Sequence, residues 1–343
     1  MTRRLPSLMA FFDISKNWII LAPPLCRTQA ARDFAHIISK LREEAGFAPS
    51  APVIIDSVNS APDGASEIVF NCDAGSKKNS FAWRAAEERI EIYGHSIRSF
   101  DNALFDFLGK LGVSCGLNGE FVLPQKHNGG LFPLEKSNFY THHSEEPRRL
   151  FIGAKRNFNE ARSLLFYAGR TQIDEVVFSL KPEIKTSEEQ ALLAIAGRYH
   201  LAVGRGGYEL SMLVPRKLFL FHRSLFRMES GKRKKDANFC ASNHKTLEVL
   251  KKNAAFYFEK YKGTKNYYLF PDGGAEQRFW CSCPACRAFS FKEQNLMALC
   301  AAASVLAKID GEARLFCGGV NSGESALSSL TNMIYIQEKI DIY

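Results

Sequence analysis

The residues with the most chemical capacity lie in one stretch, Asn266-Tyr-Tyr-Leu-Phe-Pro-Asp-Gly-Gly-Ala-Glu-Gln-Arg-Phe-Trp-Cys-Ser-Cys-Pro-Ala-Cys286. Cys281, Cys283 and Cys286 follow a C-x-C-x-x-C spacing, and Cys240 offers a fourth thiol from an earlier loop. Tetrahedral zinc takes four such soft ligands. The C-x-C step is less usual than C-x-x-C, so free thiols or a local disulfide compete with a structural metal. On any of these readings the cluster would pin the loop beside Asp272. That acid follows the apolar run Tyr267 to Phe270, a strand by pattern, and Pro271-Asp-Gly-Gly274 supplies the turn that stops it. Folds of the α/β class place reactive groups just past the C-terminal ends of strands. The plainer role for an Asp in a Pro-Asp-Gly turn is turn formation alone.

The chain that must position these groups has 343 residues, 46% hydrophobic and 24% charged, enough for two ordinary domains or one large one. Its net charge of +9 permits weak attraction to polyanions and says nothing about fold. No run of about 18 apolar residues occurs, so no transmembrane helix and no membrane partner are expected. The basic start, Met1 to Phe12, has a short apolar part broken by Pro6, which argues against a secretory signal and makes cytoplasm the default compartment. Nine cysteines in such a chain read as reduced thiols or metal ligands. Cys26, Cys72, Cys115, Cys300 and Cys317 sit among apolar or small residues and read as packing.

Hydrophobic spacing divides the chain into two domains. Strands are expected at 18–21, 52–55, 67–70, 80–83 and 89–93, with one helix capped by Thr28 and stopped by Gly46 and another capped by Ser99 and stopped by Gly112. This pattern makes a small α/β domain over 1–125. Residues 126–147, with Gly129-Gly130 and a polar run ending at Pro147, read as a linker. Over 148–343 strands at 150–153, 174–180, 199–203, 267–270 and 314–317 alternate with helices at 160–168, 187–196 and 295–308 and one capped by Ser242 or Asn243. Strand–helix units of this size argue a parallel sheet or a barrel, and about five strands fall short of the eight of a full one.

Two segments carry a resemblance. Residues 90–113, a strand, a Gly turn and a leucine-rich helix, resemble the small α/β domain that precedes the barrel in β-hexosaminidases and α-glucuronidases. The second half is similar to an uncharacterised glycosidase-like family (domain of unknown function 4838). The matching pieces are His222 with Gly231-Lys-Arg233, the Asn238-Phe-Cys-Ala-Ser-Asn243 segment, and Asp272-Gly273 followed by Cys281, Cys283 and Cys286. The likeness spans about residues 18 to 335 and implies a (β/α) TIM-like barrel in a carbohydrate context, in a family whose members are mostly exported; by strand count the barrel of this chain is incomplete. The neighbouring Asp-Glu pair of β-hexosaminidases is absent, since Gly273 follows Asp272 and the next acid is Glu276.

Glycoside hydrolysis takes two carboxyl groups, one as acid and one as base or nucleophile. Asp272 is the first candidate, as acid or as a substrate-binding group, and Glu276 and Glu324 are candidates for the second. Within the resembling segments Asn238 and Asn243 are candidate substrate-binding residues, and His222 and His244 could hydrogen-bond sugar hydroxyls. Trp280 and Tyr208 could stack on a sugar face, with core packing as the plain alternative. Two other readings remain open. One is a non-catalytic, carbohydrate-binding or degenerate barrel. The other is a zinc-containing nucleic-acid binder, suggested by Arg227 and the run from Lys232 to Lys235 but disfavoured by the single cysteine cluster. An open barrel exposes strand edges, which predicts cover by a second subunit or by residues 332–343.

Overall fold

Alternating side chains build the first sheet. Ile90 and Ile92 of the Arg89–Gly94 strand and Ile68 and Phe70 of the Ser66–Cys72 strand are buried, while their neighbours face the other way. The computed structural model describes residues 10–22, 28–55, 65–72, 80–85, 88–125, 130–134, 140–142, 147–273, 277–317 and 333–335. By compactness the chain forms two units, one of 1–149, 157–176 and 184–202, the other of 150–156, 177–183 and 203–343.

In the first unit a six-stranded sheet runs in the order Tyr140–His142, Phe81–Ala85, Arg89–Gly94, Ser66–Cys72, Trp18–Leu21, Val53–Ile55. The pairings of Phe81–Ala85 are antiparallel and the rest are parallel. Helices α1 (Gln29–Glu44) and α2 (Ile97–Lys110) close the core, with Phe107 edge-on to Trp83 at 5.3 Å and Phe100 stacked on Phe70 at 5.6 Å. Thr28 caps α1 as expected, accepting from Ala31 N at 3.2 Å. The cap of α2 is Ser96, not Ser99, which instead returns its hydroxyl to the Ser96 amide at 2.7 Å. Both serines belong to one capping box, in which Ser99 holds the third helical position and not the cap.

Helices α3 (Phe158–Arg170) and α4 (Thr186–Arg198) also belong to this unit. Arg98, at the start of α2, buries its guanidinium on the C-terminal end of α3. It donates to the carbonyls of Ala168 at 2.8 Å, Gly169 at 2.9 Å and Thr171 at 2.6 Å. These are orphan acceptors that a helix C-terminus leaves behind.

The second sheet has the order Arg149–Ile152, Glu175–Phe178, Ala202–Gly207, Asn266–Leu269, Arg314–Cys317, Met333–Tyr335. Its last four strands pair in parallel. One face carries Phe151, Val177, Tyr268, Phe270 and Phe316, with Tyr268 stacked on Phe316 at 4.8 Å. The other face puts Tyr267, Leu269 and Leu315 into a core shared with α5 (His244–Lys260) and α6 (Phe291–Ile309). Burial on both faces explains why these strands read as continuous apolar runs. The six strands form an open series, so the TIM-like barrel is not closed among the described residues.

The strand expected at 199–203 forms at Ala202–Gly207. Tyr199 caps α4 instead, and its side chain is buried. The true strand ends in Gly-Arg-Gly-Gly, which carries no apolar pattern. Gly206 is required there: its φ is +120°, and a Cβ would collide with the Tyr268 carbonyl of the adjacent strand. Helix α6 begins at Phe291, earlier than 295, because Ser290 and Glu293 form a capping box. No helix among the described residues is long and apolar enough to cross a membrane.

Candidate functional site at the strand ends

The Ala202–Gly207 and Asn266–Leu269 strands pair in register, Gly207 opposite Leu269. Beyond that pair the chains stay knitted: Gly207 O accepts from Phe270 N at 2.8 Å and from Glu209 N at 2.8 Å, and Phe270 O accepts from Leu210 N at 3.2 Å. Glu209 and Asp272 therefore both leave the C-terminal edge of the sheet from neighbouring strands.

Asp272 sits in a turn closed by Gly273, whose φ is +70° and whose missing Cβ makes room for the Phe279 ring. Its Oδ2 pairs with Arg216 Nη2 at 3.3 Å, and the same Arg216 nitrogen donates to Ala237 O. Its backbone is gripped from the other side by Asn238. The Asn238 amide donates to Asp272 O at 2.9 Å and to Phe279 O at 3.1 Å, and its Oδ1 accepts from Asp272 N at 3.1 Å. Asn238 is fully buried, so its role in this structure is to shape the turn; it offers nothing to a ligand.

Glu209 was not among the sequence candidates. Its Oε2 accepts from Leu180 N at 2.8 Å, and its Oε1 accepts from the Ser179 hydroxyl. Burial pushes its carboxyl above the ordinary value, against the lowering by Ser179, Leu180 and Arg205. The one signal for it in the sequence is position, just past a strand that ends at Gly207 and not at 203.

Cys240, Cys281, Cys283 and Cys286 are all buried, and their sulfurs lie within 4.8 Å of one another. Cys240 Sγ is 3.7 Å from Cys283 Sγ and 3.7 Å from Cys286 Sγ. A Zn–S bond of about 2.3 Å in a tetrahedron sets S···S edges of about 3.8 Å. No disulfide joins any two of the four, so the local disulfide expected as one alternative is not formed. Cys240 is held well below the usual thiol range, chiefly by Cys281 and then Cys286, while Cys286 is pushed up to about 11, chiefly by Cys240. Four thiolates this close repel one another unless a cation sits among them. Around the sulfurs, Met228 N donates to Cys281 Sγ at 3.3 Å and Ser242 Oγ lies 3.0 Å from Cys286 Sγ. This donor set is compatible with a metal ion.

The remaining sequence candidates are scattered. Trp280 is 1% exposed and edge-on to Phe239 at 6.0 Å, so it is core and presents no face to a sugar. Tyr208 is 46% exposed beside Phe270 at 5.3 Å, at the strand end that also carries Glu209. Asn243 caps α5 by accepting from Lys245 N at 3.0 Å. His222 is exposed, and His244 is exposed in an i,i+4 pair with Glu248 at 3.6 Å. Glu276 and Glu324 lie outside the described residues. The basic run is partly turned inward: Arg227 is 4% exposed and paired with Asp236 at 3.1 Å, and Arg233 donates to Phe226 O at 2.6 Å.

No family model matches the chain, including that of the uncharacterised glycosidase-like family, and no curated protein matches it. Solved structures do. The chain is similar to a Flavobacterium johnsoniae chitobiase, with TM-score 0.55, 12% identity, and cover of 90% of this chain and 50% of that one. It is similar to the Streptomyces plicatus N-acetyl-β-hexosaminidase, with TM-score 0.53, 11% identity, and cover of 91% and 64%. It is also similar to the exo-β-N-acetylglucosaminidase of glycoside hydrolase family 20 from Vibrio harveyi, with TM-score 0.50, 12% identity, and cover of 92% and 53%. The chain thus spans about half the length of the first of these structures and of the third. At this identity the likeness shows the fold: an α/β domain joined to a TIM-like barrel of the β-hexosaminidase kind.

Proposed function

We propose that the chain is a glycoside hydrolase-like protein that acts on, or binds, a carbohydrate at the C-terminal edge of its parallel sheet. The observation that carries this reading is the placement of Asp272 just past a strand end in a fold shared with β-hexosaminidases. Asp272, ion-paired with Arg216, suits the base, nucleophile or hydroxyl-binding role. Glu209, buried and favoured in its protonated form, suits the general acid. Tyr208 supplies the exposed ring for stacking.

A second reading, carbohydrate binding without catalysis, draws on the same carboxylates. Both Glu209 oxygens and one Asp272 oxygen are already engaged by protein donors, as in groups that hold a binding edge in shape. The four cysteines fit a structural zinc ion, with Cys240 from the loop before α5 and Cys281, Cys283 and Cys286 from the loop before α6. Zinc there would brace the loops that carry the site.

A panel of aryl glycosides, including N-acetylhexosaminides and glucuronides, separates the readings. Turnover by wild type that falls at least about a hundredfold in Asp272→Asn, the scale of a lost acid or base, supports catalysis. Sugar binding without turnover supports the second reading. Neither turnover nor binding by folded protein rejects both.

A further inference from the structure

The cysteine cluster and the Asp272 turn share two short pieces of chain. Asn238 is two residues before Cys240, and Phe279 is two residues before Cys281. The Asn238 side chain joins both pieces to the turn: it spans Asp272 N, Asp272 O and Phe279 O, at 3.1, 2.9 and 3.1 Å. Its backbone N also donates to Phe279 O at 3.3 Å. Between these bonds and the sulfurs, Phe239 and Trp280 pack ring to ring in the core, so a shift at the cysteines is not absorbed by loose chain. The carboxylate end is tied to the same segment, because Arg216 bonds both Ala237 O and Asp272 Oδ2.

We propose that metal occupancy of Cys240, Cys281, Cys283 and Cys286 sets the position of Asp272, with Asn238 as the positioning residue that transmits it. This rests on the reading of the cluster as a metal site. With the ion bound, the 237–240 and 279–286 segments are cross-linked and the Asn238 amide is held against the turn. Without it, nothing covalent or coordinate holds the segments together, and the Asp272 turn loses the partner that fixes its peptide planes. Coupling of this kind is reciprocal, so loosening the turn must weaken the metal.

The test uses the 343-residue chain and Zn²⁺ or Co²⁺ as probes. Metal content and the Co²⁺–thiolate absorption band report the site, and amide hydrogen exchange of residues 270–273 reports the turn. Expected are one metal ion per chain and faster exchange in the turn after removal by a chelator under reducing conditions. The Ala202–Gly207 strand should keep its protection, and Zn²⁺ should reverse the change. Asn238→Ala, which leaves all four thiols, should still bind Zn²⁺ but about 10-fold more weakly, the lower end of losses seen for outer-shell partners of a metal. Absence of bound metal overturns the site and the coupling together. Metal that binds and leaves 270–273 unchanged on removal, or an Asn238→Ala affinity equal to wild type, overturns the coupling and spares the site. Should stripping unfold the whole chain, the Asn238→Ala affinity alone decides.

Discussion

Glu209 and Asp272 leave neighbouring strands in different settings, one buried against Ser179 and Leu180, the other paired with Arg216. The Glu209 carboxyl is easier to protonate folded than unfolded, so it stabilises the fold at pH below its unfolded value. That contribution is lost as pH rises from the unfolded carboxyl range toward its raised folded value. Glu209→Gln should flatten this decline, read as melting temperature against pH for variant and wild type. If Glu209 is the acid, the same variant should lower turnover of any aryl glycoside with a demanding leaving group and spare activated ones. Equal pH slopes in the two proteins would remove Glu209 from the titration. At this scale the sequence was uneven. Asp272 was legible because a Pro-Asp-Gly turn closing an apolar run locates a strand end. Glu209 was not, because glycines replaced the apolar signal before it. For Trp280 the sequence leaves stacking and core packing both open, because residue type does not reveal which side of a loop faces the core; the structure buries it with its neighbours Cys281 and Phe239.

Among the elements, the helices were the most legible, since capping residues and the 3.6-residue period both mark them. Their starts slipped most where a capping box offered more than one entry, at Ser96–Ser99, Asn157–Glu160 and Ser290–Glu293. What the period does not carry is tertiary capping. Arg98 satisfies the last carbonyls of α3 from α2, a role set by sites about 70 residues away in the chain. A buried acceptor left without a donor costs about 1–3 kcal/mol, and Arg98→Met strips several at once. Urea unfolding of this variant should show a loss of more than about 3 kcal/mol; a loss under about 1 kcal/mol would mean water or a shifted helix end replaces the guanidinium. Gly206→Ala should be equally severe, because the added methyl meets the Tyr268 carbonyl backbone and not a movable side chain. A variant with wild-type melting would show that the two strands can part there without loss.

For the whole molecule, the layer order of both units follows from alternation and helical period, and the likeness to β-hexosaminidases agrees with it at only 10–13% identity. The open series of six strands among the described residues agrees with the expected shortage of strands, with one more than the five marked by pattern. Function was legible only as far as the strand-end rule reaches: it points to the edge carrying Asp272, Glu209 and Tyr208, not to a sugar. The most direct measurement is ligand-observed NMR of the folded protein, purified under reducing conditions with Zn²⁺ supplied, with N-acetylhexosamine-containing oligosaccharides and with uronic-acid sugars, repeated with Asp272→Asn and Tyr208→Ala. The prediction is saturation transfer to at least one sugar by wild type, weakened at least about 10-fold in affinity by each substitution, about 1.4 kcal/mol. Folded wild type that binds none of them, or binding that both substitutions leave unchanged, would contradict a carbohydrate site at this edge.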